Sequence, residues 1–493
     1  MTNTDTQHDR VTRSRDPLGI SSLYYTQANG RYLFASDIGD LLSYPDVVKK
    51  PNLRSLATMI HCFAVDHEET MYEGIYRLPP GHSITIEEGK KTIERTWFPE
   101  KIKIDHGISE EEAARKLKIL FEQAVERSVS DLKETAFEVS GGLDSSSVVS
   151  VLAQKNETSK IDSYFMSFGD LKCDEGAYVD ALLERYPLNH RKIAVEKLDY
   201  HAEYSLEALY ALSPHWPISL TFAMIVPMLE KMEQDGKKVV VSGQGGDHLF
   251  TGSPYVLYDL LFRGEFRAFY EELRSHRRPW NALKAYVLKP LLGEKLVGKV
   301  KKMLGKNAFE GCFENACDIR DLTDREGIKN PALKNELDAL TSAYQSTVMD
   351  GNIFHCAERH FGIEYRHPFF DKELVEFALS LPPEMKYKNR TIKRILRKAM
   401  QGILPEKIRT RRDKAEFSEI LTQQIDAIDL DALFEDAHLV RLGIVSRSDI
   451  AQCLEKYRSG NLRYISYLWT LVNVEYWYGY NTFDESEVRR GPL

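Results

Sequence analysis

The run Ser140-Gly141-Gly142-Leu143-Asp144-Ser145-Ser146 combines residue types suited to holding a polyphosphate. Two adjacent glycines let the backbone approach a ligand closely. The helical run SSSVVSVLAQ begins inside the motif, so free N–H groups at a helix start add an anion site. Ser140, Ser145 and Ser146 supply hydroxyl donors. Asp144 would repel a phosphate unless a cation lay between them, so the motif implies Mg²⁺. A Gly/Ser turn without a ligand would account for Ser-Gly-Gly alone, but poorly for the whole run after a strand. The motif is neither a Walker loop nor GxGxxG. A second Gly-rich turn, Ser242-Gly243-Gln244-Gly245-Gly246-Asp247, follows the strongly β-branched stretch KKVVV. If both strands share a sheet, Asp144 and Asp247 meet at its carboxyl edge and together suit one Mg²⁺; the plainer reading of Asp247 is a turn cap.

Three strand–turn–helix units place these turns: TAFEVS before SSSVVSVLAQ, IDSYFMSFG before AYVDALLERY, and KKVVVSG. Such alternation predicts an α/β fold, a parallel sheet with flanking helices. Upstream, alternating apolar residues flank Asn29-Gly30 and Glu88-Gly89, so residues 17–97 read as hairpins. Ser109 caps the helical pattern EEEAARKLKILFEQAVERSV, which opens a second domain. The expected division is a β-rich domain over 1–104 and a larger domain over 105–493. Beyond about residue 255 the chain is mostly helical, and Ile465, Leu468, Trp469, Val472 and Tyr476 form a core-facing stripe.

Composition excludes several classes. The 493 residues carry 66 basic and 74 acidic side chains, net −8, which argues against a dedicated nucleic-acid binder. With 43% hydrophobic residues the chain can build a sizeable core, and no apolar run has the length of a membrane span. Six cysteines without a CxxC pair fit a reducing, cytoplasmic setting. Cys312 and Cys317 lack histidines at metal spacing, and His355 and His360 miss the i, i+4 spacing of a helical zinc pair, so no zinc is expected. Ten Lys/Arg residues and one acid, Glu294, lie between Arg274 and Lys306. That segment is either a solvated helical face with snorkelling lysines or a docking surface for an acidic peptide or protein.

The SGGLDSS motif resembles the pyrophosphate loop of the N-type ATP pyrophosphatases, which split ATP to AMP and pyrophosphate while activating a substrate. The rest of the chain is most similar to the asparagine synthetase family. Arg15-Asp16-Pro17-Leu18-Gly19-Ile20, Leu78-Pro79-Pro80-Gly81-His82 and the Trp97 region resemble the later half of its glutaminase domain. SGQGGD, Glu364-Tyr365-Arg366-His367-Pro368-Phe369-Phe370-Asp371 and Arg411-Arg412-Asp413-Lys414 resemble its synthetase signatures, in family order. The resemblance implies an adenine nucleotide alpha hydrolase-like domain, preceded by a small β-rich remnant of an N-terminal-nucleophile glutaminase domain. It implies ATP held by Ser140, Gly141, Gly142, Asp144, Ser145, Ser146, Ser242, Gly243 and Gly245, with Mg²⁺ on Asp144 and Asp247. It also implies two catalytic side chains. Glu364 would accept a proton from the attacking amine, where an apolar surrounding would favour that transfer. Lys414 would lie against the α-phosphate and stabilise charge in adenylation and amide formation.

The departures matter too. Glutamine-hydrolysing members begin with a cysteine, whereas this chain begins Met-Thr-Asn and reaches its first cysteine at Cys62, so glutamine is not expected to serve it as a nitrogen source. Family loops usually read SGEGSDE; here Gln244, Gly246 and His248 stand at the acidic and serine positions. A neutral Gln244 is more similar to the lasso-peptide macrolactam cyclases, while β-lactam synthetases carry tyrosine there. The expectation is an AMP-forming amide ligase that adenylates a side-chain carboxylate and passes it to an amine, as in peptide macrolactam closure. Conversion of aspartate to asparagine is the alternative within the class. A tRNA- or nucleotide-modifying pyrophosphatase and a non-enzymatic ATP-binding scaffold are the alternatives outside it.

Overall fold

The computed structural model describes residues 10–62, 66–219, 221–292, 330–341, 353–413, 415 and 417–483. The N-terminal part holds two small antiparallel sheets. Strands β1 (Arg10–Ser14), β5 (His82–Glu87) and β6 (Lys90–Arg95) form one, and β2 (Tyr24–Ala28), β3 (Arg31–Ala35) and β4 (Ile75–Arg77) the other. Both tight hairpins turn where an Xaa-Gly pair takes positive φ at each position: Asn29 and Gly30 at 47° and 75°, Glu88 and Gly89 at 48° and 76°. Paired left-handed residues match the twist of the strands they join.

The larger part is built on a five-stranded sheet ordered β11-β10-β7-β8-β9. Its strands are β7 (Thr135–Glu138), β8 (Asp162–Ser167), β9 (Asn189–Ala194), β10 (Val239–Val241) and β11 (Glu364–Arg366), and every pairing is parallel. The alternating pattern of strands and helices therefore produces the α/β architecture it implies. Helices cover both faces, so the three valines of β10 are all buried. Phe137, Val139, Phe165 and Val241 pack on one face with the helices Glu110–Ser128 and Leu143–Ala153. Ala136, Tyr164, Val240 and Tyr365 pack on the other with Phe222–Gln234 and the long helix Ile465–Asn481. The predicted apolar stripe belongs to this second layer: Ile465, Leu468, Trp469 and Val472 are buried and Tyr476 is half-buried.

The strand order creates the site. From β7 the chain adds β8 and β9 on one side, then returns to lay β10 on the other. A crevice opens beyond the carboxyl ends of β7 and β10, where the connections leave in opposite directions. The two Gly-rich turns flank it. Trp97 Nε1 donates to Glu376 Oε1 at 3.1 Å, and Asp37 is held by His355 Nε2 at 2.7 Å, joining the N-terminal part to the sheet domain. Among the described residues no helix is long and apolar enough to cross a membrane.

Candidate active site

The first turn leaves β7 at Val139 and starts the helix Leu143–Ala153 with Gly142 as its N-cap. Gly141 has φ +71°, and a Cβ there would lie 2.8 Å from Tyr178 Cβ, so both conformation and space demand glycine. Ser145 Oγ accepts a hydrogen bond from Ser140 N at 3.1 Å and fixes the turn. The second turn packs directly onto the first. A Cβ on Gly243 would meet Ser145 N at 2.4 Å, and one on Gly246 would meet Asp144 Cγ at 2.3 Å. Gly245, at φ +100°, backs onto Phe369. Ser242 Oγ bonds the Nδ1 of His367 at 2.8 Å; burial pushes that imidazole down to about 3, so it is neutral.

A cavity of about 370 Å³ lies over these turns, lined by Ser140, Gly142, Asp144, Ser145, Gly243 and Asp247 among others. Ser242 lines an adjoining cavity instead. Ser146 is fully buried and does not line either cavity. Asp144 and Asp247 do converge, and what they converge on is Lys393. Its ammonium contacts Asp144 Oδ2 and lies 2.8 Å from Asp247 Oδ1. Burial works against the charge, but the two carboxylates outweigh it and hold Lys393 above its ordinary value. Two carboxylates sharing one cation are also a donor set for Mg²⁺, so these residues fit the metal the motif implies.

Positive charge continues around the cavity. Arg397, Arg411 and Arg412 line it. Arg411 pairs with Glu175 and lies 4.0 Å from the centre of the Tyr178 ring, whose hydroxyl donates to Asp413 Oδ1 at 3.0 Å. Burial pushes the Glu175 carboxyl up, and Arg411 opposes that shift. Lys414, the next residue, lies outside the described residues.

The structure does not bring Glu364, whose motif implies a proton-accepting role, into this constellation. It is the first residue of β11, in register with Val239 at the start of β10, and so sits at the end of the sheet opposite the turns. Its side chain is 57% exposed, and Arg366 holds both oxygens at 2.9 and 2.8 Å. Its carboxylate therefore faces water rather than an apolar surrounding. A different carboxyl occupies the catalytic end. Glu138, the last residue of β7, is half-buried and accepts a hydrogen bond from Tyr365 Oη at 2.6 Å. Burial lifts it to about 7, against the lowering pull of the phenol. It lines both the nucleotide-sized cavity and a second, more apolar one of about 260 Å³.

The sequence comparisons agree with this architecture. Residues 116–479 match the family model described as asparagine synthase, and residues 2–98 match a glutamine amidotransferase domain. The chain belongs to the asparagine synthase family. Similar proteins include asparagine synthetase [glutamine-hydrolyzing] 3 of Bacillus subtilis, 25% identical over 425 residues, covering 82% of this chain and 64% of that protein. Asparagine synthetase [glutamine-hydrolyzing] 1 of the same organism is 26% identical over 430 residues, covering 81% and 64%. Amidase chyE of Penicillium rubens is 26% identical over 286 residues, covering 52% and 40%. The chain therefore spans less than two-thirds of the length of these relatives.

Proposed function

We propose that the chain is an ATP-dependent ligase that activates a carboxylate as an acyl-adenylate and passes it to an amine. The observation that carries this reading is the Asp144–Lys393–Asp247 cluster set against a glycine-rich helix start at the switch point of the sheet. The N–H groups of the helix start after Gly142 and the hydroxyls of Ser140 and Ser145 would bind the polyphosphate. Lys393 and the arginines lining the cavity would offset its charge. Mg²⁺ on Asp144 and Asp247 would supply neutralisation of the pyrophosphate leaving group. Lys414 would act at the α-phosphate, a role that rests on the RRDK resemblance.

Within this class we favour closure of a peptide macrolactam over amidation of aspartate. Gln244 and the apolar lining of the second cavity, with Phe165, Phe168, Met224, Ile225 and Phe354, suit a substrate larger and less polar than aspartate. The names of the relatives favour asparagine formation. Pyrophosphate release by the purified chain separates these readings. Aspartate with ammonium would support the latter, and a peptide bearing an acidic side chain and a free amine the former. Release in neither case, with ATP still bound, would leave the scaffold reading. Asp144→Asn and Asp247→Asn should each abolish release while the protein stays folded. Near-normal release by either variant would remove the paired-carboxylate model.

The basic stretch supports one further element of this reading. Its described portion includes Arg277 and Arg278, which line one concavity together with Arg390, and Trp280 is 72% exposed. An acidic peptide segment fits this surface by charge. The portion from residue 293 to 306 lies outside the described residues.

A further inference from the structure

The reacting carbonyl in an adenylate-forming site must sit where the nucleotide cavity meets the cavity for the group being transferred. Glu138, Ser140 and Gln244 line both cavities here and so mark that junction. Among the described residues two acids reach it, Glu138 and Glu175. Glu175 is neutralised by the Arg411 guanidinium. The described partner of Glu138 is a phenol, Tyr365 Oη at 2.6 Å, which orients one oxygen, and among the described residues no cation pairs with the carboxyl. The second turn contributes an amide, Gln244, which cannot accept a proton from an amine.

We infer that Glu138 is the general base of amide formation, with Tyr365 as its positioning residue. This rests on the ligase reading above. The amine nitrogen attacks the acyl carbon, the bond from that carbon to the AMP oxygen breaks, and AMP leaves with the bonding electron pair. The proton released by the attacking nitrogen passes to the Glu138 carboxylate and from there to water. The carboxyl is suited to this because an apolar enclosure raises its proton affinity toward working pH. Among the described residues, the titratable groups around it are Tyr365, with Cys356 and the neutral His367 against that ring, Tyr164 on the neighbouring strand, and the Glu175–Arg411 pair across the cavity.

The test separates the two half-reactions in Glu138→Gln, Tyr365→Phe and the unaltered chain, with ATP, Mg²⁺ and either aspartate or an acidic-side-chain peptide as carboxylate probe. ATP–pyrophosphate exchange reads adenylation, and single-turnover product formation with ammonium, or with the peptide's own amine, reads transfer. Glu138→Gln should keep exchange within about threefold and slow transfer by about a hundredfold or more. Its transfer rate should also lose the rise with pH near neutrality. Tyr365→Phe should slow transfer less and displace that rise along the pH axis, an effect a purely structural role would not produce. Equal loss of both half-reactions, or unchanged transfer in Glu138→Gln, overturns the assignment. Absence of exchange in the unaltered chain removes the ligase reading, and Glu138's role with it.

Discussion

Lys393 sets its ammonium against the carboxylate of Asp144 across 249 residues of chain. The contact joins the start of the helix Arg394–Ala399 to the start of Leu143–Ala153. Lys393 adopts φ 55°, a left-handed backbone that a non-glycine residue holds only when its surroundings fix it. Three consequences of this site can be measured, and a fourth concerns a residue outside it.

Removing the ammonium should expose the repulsion it suppresses. Lys393→Ala leaves the half-buried Asp144 facing the exposed Asp247 and should lower unfolding free energy by about 1–2 kcal/mol. Urea unfolding with and without MgCl₂ checks this. Magnesium should recover part of the loss in the variant and add less to the unaltered chain. Equal magnesium responses would argue against a shared cation site.

The interlocked turns predict intolerance at one glycine. Gly243→Ala forces a Cβ to within 2.4 Å of Ser145 N and should cost about 1–3 kcal/mol, with loss of ATP binding by calorimetry. Gly107→Ala, whose new Cβ meets nothing nearer than 3.4 Å, is the control and should bind ATP normally.

Glu138 should leave a signature in stability against pH. Its folded carboxyl lies near 7, above an ordinary value of 4.5. The folded chain therefore holds this proton where the unfolded chain has lost it. The favourable contribution is complete below about 4.5 and is lost as pH rises toward about 7, by up to about 3 kcal/mol. Glu138→Gln should flatten that part of a thermal-melt series and be the more stable protein at neutral pH. A parallel decline in both proteins would contradict the burial argument.

Glu364→Gln should retain single-turnover amide formation within about threefold, because its carboxylate lies at the far end of β11 in an exposed pair with Arg366. A loss of a hundredfold would restore it to the chemistry.

Much of the frame is legible in local pattern. Asn29-Gly30 and Glu88-Gly89 announce hairpins because few other pairs adopt two left-handed conformations in succession. The three strand–turn–helix units lead to a parallel sheet because a helix must return the chain to the same edge. The side chains that complete the site are less legible. In FEV, Glu138 reads as the solvent-facing member of an alternating strand, and only helices covering both sheet faces draw it partly out of water. Glu364 misleads in the opposite way: its apolar neighbours Tyr365 and Phe369 are buried, while its position at the start of β11 turns it to solvent. Lys393 carries no local signal, since nothing in NRTIKR distinguishes a lysine aimed at distant carboxylates from one on a solvated helix face.

The fit of Gly243 and Gly246 against Asp144 and Ser145 also bears on how such a chain can diverge. The second turn cannot acquire a side chain at Gly243 or Gly246 unless the first retreats, so the two inherit one another's constraints. A chimaera with a crossover between residues 145 and 243 would bring together turns that had drifted apart in separate lineages. Variation is freer at Gln244, which lines the cavity beyond the contact. Selection can thus explore new acceptors through that position while the clasp beneath it stays unchanged.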